Sequence, residues 1–199
     1  MWSGARYFRN TNAFDFKTAE YDGEHHLSFY IGSVREDKVP DKRRQNGGVT
    51  MNSRYEEVSR IGSVSSLGMR GLDVHEFTIL PTGKSVLLSV NYFDEADAAD
   101  IGQDARRLLT YGFQEIERGS EKLLFDWEPL RHGVSLSESV DASGMDISAN
   151  ETYWDWFHVN SIDKNADGDY LVSGGHTSCV YKVSRIDVSD TFVLLARKS

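Results

Sequence analysis

Apolar and polar residues alternate along much of the chain, in short runs that Gly, Asp, Asn and Pro interrupt. A period of two is typical of half-buried β-strands. Two such runs flank Asp22-Gly23, a pair that favours a tight hairpin turn. The pattern therefore predicts a first unit of four strands: Phe16–Glu20, His26–Ile31, Gly48–Met51 and Tyr55–Ile61.

Two further four-strand units are predicted downstream. The strands of the second are His75–Leu80, Ser85–Asn91, Gly112–Glu117 and Lys122–Trp127, with Asp94–Leu109 as a short helix or a long loop. The strands of the third are Phe157–Ile162, Tyr170–Ser173, Ser178–Val183 and Thr191–Ala196. Between these units, Leu130–Tyr153 is rich in Ser, Asp and Gly, and we expect an inserted loop there.

A partial repeat connects the second and third units. The segments Asp73–Val90 and Trp154–Val183 open alike, so that His75 and His158 fall at equivalent places. Meanders in series predict an all-β fold, and the repeat favours a β-propeller over a β-sandwich, the main alternative. Closed propellers have about 4–8 blades. We therefore expect about three four-stranded blades of an incomplete propeller, as in a truncated chain or a fragment.

Composition narrows the possible partners. The chain has 199 residues, of which 39% are hydrophobic and 12% aromatic, enough for a packed β-rich core. Its net charge of −9 argues against nucleic acid as a partner, because an acidic chain repels phosphate backbones. We interpret the basic stretch Lys38–Arg44 as a solvated loop. No apolar stretch approaches the ~20 residues of a transmembrane helix, and Met1–Asn10 has no signal-peptide core.

Two features suggest metal binding, but neither fits it well. Asp163–Gly168 follows the D-x-N-x-D-G start of a calcium loop, yet Gly174 stands where the bidentate Glu belongs. The adjacent His25 and His26 face opposite sides of a strand. The lone Cys179 allows no internal disulfide and is expected to fill space in the core. We therefore expect a hairpin turn at Asp163–Gly168 and no metal site.

Several motifs, in their order along the chain, are similar to those of one family. They are Phe14–Tyr21 (FDFKTAEY), Asp73–Phe77 (DVHEF), Phe113–Glu117 (FQEIE), Leu124–Trp127 (LFDW), Ser137–Ser139 (SES) and Trp154–Asp163 (WDWFHVNSID), the last followed by GDYLVS and VYKV. With these motifs the chain, from Trp2 to Lys182, resembles the fungal branch of the arylsulfotransferase family.

The resemblance implies a six-bladed propeller, usually secreted, with a site in its central channel. The bacterial members of this family move a sulfuryl group from one phenol to another through a histidine, without a nucleotide cofactor. We therefore expect an aryl sulfate donor, a phenolic acceptor and no cofactor. Residues 1–183 would form the partial propeller, and residues 184–199 a tail that departs from the family pattern.

Four residues are candidates for the site. By resemblance, His75 and His158 match two channel histidines and are the predicted catalytic residues, as oxyanion donors or acids. Asn160, which alternation places on the face of His158, and His176 are the predicted substrate-binding residues. The alternative for each is a structural hydrogen-bonding role. Glu76 should face away from His75 and pack between blades or lie at the surface.

Two departures from the family pattern lower the expected activity. Gly175 stands where the resemblance expects an Arg, and losing one such oxyanion donor costs roughly 10²–10³ in rate. Neighbouring residues of an extended strand face opposite ways, so that His176 would not simply replace that Arg, unless the pair Gly174-Gly175 distorts this alternation. The expected nucleophile motif does not follow Val183. The sequence thus predicts an arylsulfotransferase-like chain with impaired or absent turnover, or else a non-catalytic binding or vestigial fragment.

Overall fold

The computed structural model describes residues 12–32, 47–64, 69–95, 107–140, 145–148, 151–186 and 191–196. Over these ranges the protein is nearly all β, and no helix in them is long and apolar enough to cross a membrane. The predicted all-β class is confirmed. The strands are β1 (Asn12–Tyr21), β2 (Glu24–Gly32), β3 (Gly47–Met51), β4 (Glu57–Ile61), β5 (Met69–Ile79), β6 (Ser85–Glu95), β7 (Arg107–Glu117), β8 (Leu123–Trp127), β9 (Met145–Ser148), β10 (Glu151–Asp155), β11 (Val159–Lys164), β12 (Tyr170–Gly174), β13 (Cys179–Val183) and β14 (Thr191–Ala196).

Three sheets each contain a four-stranded antiparallel meander. The first sheet is β1-β2-β3-β4, the second contains β5-β6-β7-β8, and the third is β11-β12-β13-β14. The three predicted four-strand units are therefore confirmed, including Thr191–Ala196 as the last strand. Their closure into a propeller stays a prediction.

Tight turns form where the sequence predicts them. Asp22 and Gly23 join β1 to β2 with φ values of 53° and 73°, the left-handed conformation that a two-residue hairpin turn requires. The segment Asp163–Gly168 joins β11 to β12 as a hairpin, in which the Asn165 N–H donates to the Asp169 carbonyl. The Asn165 side chain also accepts from the Asp169 N–H, so local hydrogen bonds account for this motif.

The predicted loop Leu130–Tyr153 was wrong in part. It contains two short 3-10 turns, Leu130–His132 and Leu136–Glu138, and then β9 and most of β10. β10 lies parallel to the start of β7 and so adds a hairpin to the second sheet. Because β7 begins at Arg107 rather than at Gly112, its early residues offer β10 a free edge.

Two other predictions fall partly or wholly outside the described residues. β6 continues to Glu95 and β7 begins at Arg107, which leaves residues 96–106 of the predicted helix or loop outside them. The basic stretch Lys38–Arg44 lies outside them altogether.

Large aromatic side chains fill the space between the second and third sheets. The fully buried members of this core include Trp127, Trp154, Trp156, Phe157 and Tyr170. Each such side chain removes about 150–250 Å² from water. The Trp156 indole N–H donates to Thr110 Oγ1 at 3.0 Å, so its polar atom is satisfied within the core. The segment before His158 is thereby anchored against the second sheet.

Buried carboxylates connect the sheets. Glu76 on β5 accepts hydrogen bonds from the Lys17 ammonium of β1 and from the Ile162 N–H of β11. Glu76 therefore packs between the three sheets, as expected. Glu115 on β7 accepts from Lys164 and Tyr170 of the third sheet. Burial alone would raise the pKa of Glu115, but these hydrogen bonds hold it below its ordinary value.

Candidate functional site

His75 projects from a bulge in β5. The ladder between β5 and β6 pairs Leu72 with Val90 and then Phe77 with Leu88, so five steps along β5 match two along β6. The extra residues, from Asp73 to Glu76, leave the sheet. Bulges re-aim side chains and are frequent beside active sites. Because of this bulge, the direction of the His75 side chain no longer follows the regular alternation of side chains along β5.

Asp73 fixes the imidazole of His75. Its Oδ2 lies 2.6 Å from His75 Nδ1 and also accepts from the His75 N–H and the Ser89 hydroxyl. The hydrogen bond to Asp73 raises the pKa of His75 and outweighs the burial that would lower it. His75 therefore holds a proton to a higher pH than an ordinary histidine.

His158 lies at a corner of the backbone and outside the strand that the sequence predicts. β10 ends at Asp155 and β11 begins at Val159. His158 has φ 56°, a left-handed conformation that costs a residue with a side chain of order 1–3 kcal/mol. The buried Trp156 and Phe157 hold this corner in place.

Asp155 joins two histidines. Its Oδ2 lies 2.5 Å from His158 Nδ1, and its backbone carbonyl lies 2.5 Å from His176 Nδ1. Its other carboxylate oxygen, Oδ1, is 3.8 Å from His176 Nδ1. Burial raises the pKa of Asp155 despite the two nearby imidazoles.

His176 belongs to a turn, and the predicted turn between the strands Tyr170–Ser173 and Ser178–Val183 is thereby confirmed. β12 ends at Gly174, and residues 175–178 form a turn before β13. The Gly175 N–H donates to the His158 carbonyl at 2.7 Å, and the His176 N–H donates to the Phe157 carbonyl at 3.1 Å. The turn thus docks on the corner and brings His176 to His158.

The three imidazoles form one group, which we call the histidine cluster (His75, His158 and His176). The ring centroids of His75 and His158 are 4.7 Å apart, as are those of His158 and His176. Tyr111 of β7 adds an aromatic wall 5.2 Å from the ring of His158. In the described part of the chain, Nε2 of His75 and of His158 has no hydrogen-bond partner.

Asn160 lies at the margin of the histidine cluster. It is exposed on β11. A Cβ atom placed on Gly175 would lie 2.6 Å from its amide nitrogen and 3.4 Å from His158 Cδ2. The Asn160 amide and the ring of His158 therefore both lie against Gly175 of the turn. The structure brings together three of the four predicted residues and places the fourth beside them.

Comparison with known proteins identifies the family. A sequence model of the family described as arylsulfotransferase (ASST) matches residues 50–188, more than half of the chain. The chain belongs to the arylsulfotransferase family. All members of the histidine cluster fall within the matched part of this arylsulfotransferase-family chain. Searches among curated proteins and among solved structures each found no match.

Sequence reasoning missed the two carboxylates and the tyrosine. A signal for the carboxylates existed, since an Asp precedes His75 by two positions and His158 by three. Tyr111 is one of several tyrosines in strand-like runs, and no local pattern marks it. Its position beside the cluster depends on how the second sheet meets the corner.

Proposed function

We propose that the histidine cluster binds the sulfate group of an aryl sulfate, and that this chain transfers the sulfuryl group to a phenol slowly or not at all. Two observations support the proposal: membership of the arylsulfotransferase family and the convergence of three imidazoles at one corner. The convergence of the imidazoles is the decisive observation, because family membership alone does not show which residues bind the sulfate group.

The hydrogen bonds at Nδ1 explain how an acidic chain could bind an anion. A protonated imidazole paired with its Asp is neutral as a pair, and its Nε2–H remains a donor for a sulfate oxygen. His75 has the raised pKa that keeps this form populated near neutral pH. His158 and His176 would complete the set of donors around the sulfuryl group.

Transfer requires more than binding. The bond between sulfur and the donor phenol oxygen must break, and the departing phenolate must take a proton. A bond from sulfur to the acceptor oxygen must form as the acceptor phenol gives up its own proton. We assign the proton donation to the Nε2–H of His75, because the hydrogen bond from Nδ1 to Asp73 keeps this imidazole protonated and leaves Nε2 available to the departing phenolate. The resemblance expects an Arg at Gly175, and the missing guanidinium removes one fixed donor, which costs roughly 10²–10³ in rate.

We also propose that the three sheets are blades of a partial propeller, in which residues 1–183 supply every strand but β14 and the tail of residues 184–199 supplies β14. β5, the first strand of the second sheet, contacts both β1 and β11, the first strands of the other two sheets. The Phe77 N–H of β5 donates to Asp15 Oδ2 of β1 at 2.7 Å, and the Ile162 N–H of β11 donates to Glu76 of β5. Such contacts between first strands are expected around a propeller channel.

A direct test uses 4-nitrophenyl sulfate as donor and phenol as acceptor. We expect saturable donor binding by calorimetry that His75→Ala and His158→Ala each weaken at least about tenfold. His25→Ala is the matched control, because His25 is 68% exposed on β2. Absence of donor binding, or equal loss in the control, would contradict the proposal.

A measurement of turnover distinguishes an arylsulfotransferase from a non-catalytic binding or vestigial fragment, the two functions that the sequence leaves open. Rapid release of 4-nitrophenolate that His158→Ala abolishes would show an active enzyme and contradict slow transfer. Gly175→Arg then tests the missing donor. If phenolate release is faster in Gly175→Arg than in the unchanged chain, by up to roughly 10²–10³-fold, the result supports position 175 as the place of the missing donor. Unchanged release in a folded Gly175→Arg variant argues that position 175 is not the donor position.

A further inference from the structure

We propose that Asp155, His158 and His176 form a binding site for a divalent transition-metal ion of the zinc class. One carboxylate oxygen and one nitrogen from each ring all lie within 4.8 Å of one another. Ligands at about 2.0–2.2 Å around zinc are about 3.4 Å apart in a tetrahedron. Rotation of the two imidazoles by about 1 Å at the ring nitrogen would therefore close the site.

A buried atom without a partner points to a missing ligand. Asp155 is 6% exposed, and its Oδ1 has no hydrogen-bond partner in the described residues. An unsatisfied buried oxygen is costly, because it has lost water and gained nothing in exchange. Asp155 Oδ1 lies 3.8 Å from His176 Nδ1, which is too long for a hydrogen bond. A metal ion bound to Oδ1 would satisfy this oxygen.

The local charge also favours a cation. Within the described ranges, the ion-pair partners of Asp73 and Asp155 are histidines. When those imidazoles are neutral, the two carboxylates leave the cluster negative, in a chain that carries −9 overall. A divalent ion balances this charge and takes the place of the protons now held between Asp155 and the two rings.

The site is fixed yet accessible. The two hydrogen bonds from the 175–178 turn to the corner set the separation of His158 and His176 before any ion binds. Their side chains are 26% and 22% exposed, so an ion can enter from solvent and keep open coordination positions. Two histidines and one carboxylate with open positions are typical of zinc and non-haem iron sites.

The metal site does not depend on the proposed sulfuryl function. It is tested with metal alone, on chelator-treated full-length protein and without any sulfate ester. Each proposal is therefore tested by its own experiment, and the failure of one does not decide the other.

Zinc titration by calorimetry and cobalt titration by visible absorption test the site. We expect one zinc ion per chain, and cobalt ligand-field bands that grow to the same stoichiometry. Asp155→Asn and His176→Gln should each weaken zinc affinity by more than the roughly 10–100-fold loss that follows removal of an outer-shell partner. Asp163→Asn and His25→Gln change exposed residues of the same types and should leave the affinity unchanged.

Three results would overturn the proposal. They are no saturable binding to the intact chain, unchanged affinity in folded Asp155→Asn or His176→Gln, and loss of the site in His25→Gln. Should Asp155→Asn fail to fold, His176→Gln decides alone, because His176 lies in a partly exposed turn where an amide is tolerated. Circular dichroism of each variant establishes that it is folded.

Discussion

The pairs Asp73–His75 and Asp155–His158 make nearly the same hydrogen bond, although the backbone conformation differs between them. Asp73 and His75 lie two positions apart in a bulge within β5, and their Nδ1–Oδ2 distance is 2.6 Å. Asp155 and His158 lie three positions apart at a corner between two sheets, at 2.5 Å. His158 reaches this contact only with a left-handed backbone at φ 56°.

The surroundings of the two carboxylates differ more than the contacts do. Asp73 also accepts from the His75 N–H and from Ser89, so its hydrogen bonds stay within one sheet. Asp155 holds two imidazoles and still leaves Oδ1 unsatisfied. Backbone strain and unsatisfied buried atoms persist where the surrounding structure imposes them, and they concentrate at functional sites. The comparison supports the proposal that Asp155 is the centre of the site and Asp73 a support.

Replacing each carboxylate by an amide is the strongest test of this difference. Asp155→Asn should weaken 4-nitrophenyl sulfate binding by roughly 10–100-fold, because His158 loses its charged hydrogen-bond acceptor and His176 loses the carboxylate charge 3.8 Å from its Nδ1. Asp73→Asn disturbs one imidazole and should cost less than about tenfold. Calorimetric affinities of the two folded variants provide the measurement. Equal losses, or a greater loss in Asp73→Asn, would reverse the ranking.

A double-mutant cycle tests whether the two pairs act together. The rings of His75 and His158 are 4.7 Å apart, and neighbouring groups couple by about 0.5–3 kcal/mol. The loss of donor affinity in the double Ala variant should therefore differ from the sum of the single losses. His158 combined with the exposed His25 is the control and should be additive. Additivity in both cycles would mean that the pairs bind independently.

Glycine substitutions at positions 158 and 75 test the difference in backbone conformation, because they should change the free energy of unfolding in opposite directions relative to alanine. At φ 56°, His158→Gly should have a free energy of unfolding about 1 kcal/mol above that of His158→Ala, because only glycine adopts this conformation without strain. In the bulge of β5, His75 does not have a positive φ. His75→Gly should be less stable than His75→Ala by about 0.5–1 kcal/mol. Urea unfolding measures both differences, and the same sign at both positions would refute the contrast.

The smallest expected effect is on the pH dependence of the first pair. The folded-state pKa of His75 is raised, so its pair contributes stability fully below the unfolded value of about 6.5. That contribution is lost as the pH rises through the raised folded-state value. Asp73→Asn should lower the pKa of His75, as followed by NMR on chelator-treated protein, and flatten this loss. A pKa of His75 that stays raised in the variant would exclude Asp73 as its cause.

Strands, hairpins and the aromatic core were predictable because their signals are local. Alternation predicted all three meanders, and Asp22-Gly23 predicted its turn. The hairpin β9–β10 was missed, since its strands have only four and five residues and lie in a segment rich in Ser, Asp and Gly. β10 is ordered by pairing with β7, more than forty positions away along the chain.

By itself, the sequence determined the all-β class, the family and the pairing of His75 with His158 through their places in a repeat. Only the tertiary structure decided that His176 joins them and that Asp155 holds two rings. Both depend on a corner and a turn where the backbone leaves strand geometry, so the period of two no longer tells which way a side chain points. The hydrogen bond from His176 to the Asp155 carbonyl spans 21 positions, and no local pattern of residues encodes it.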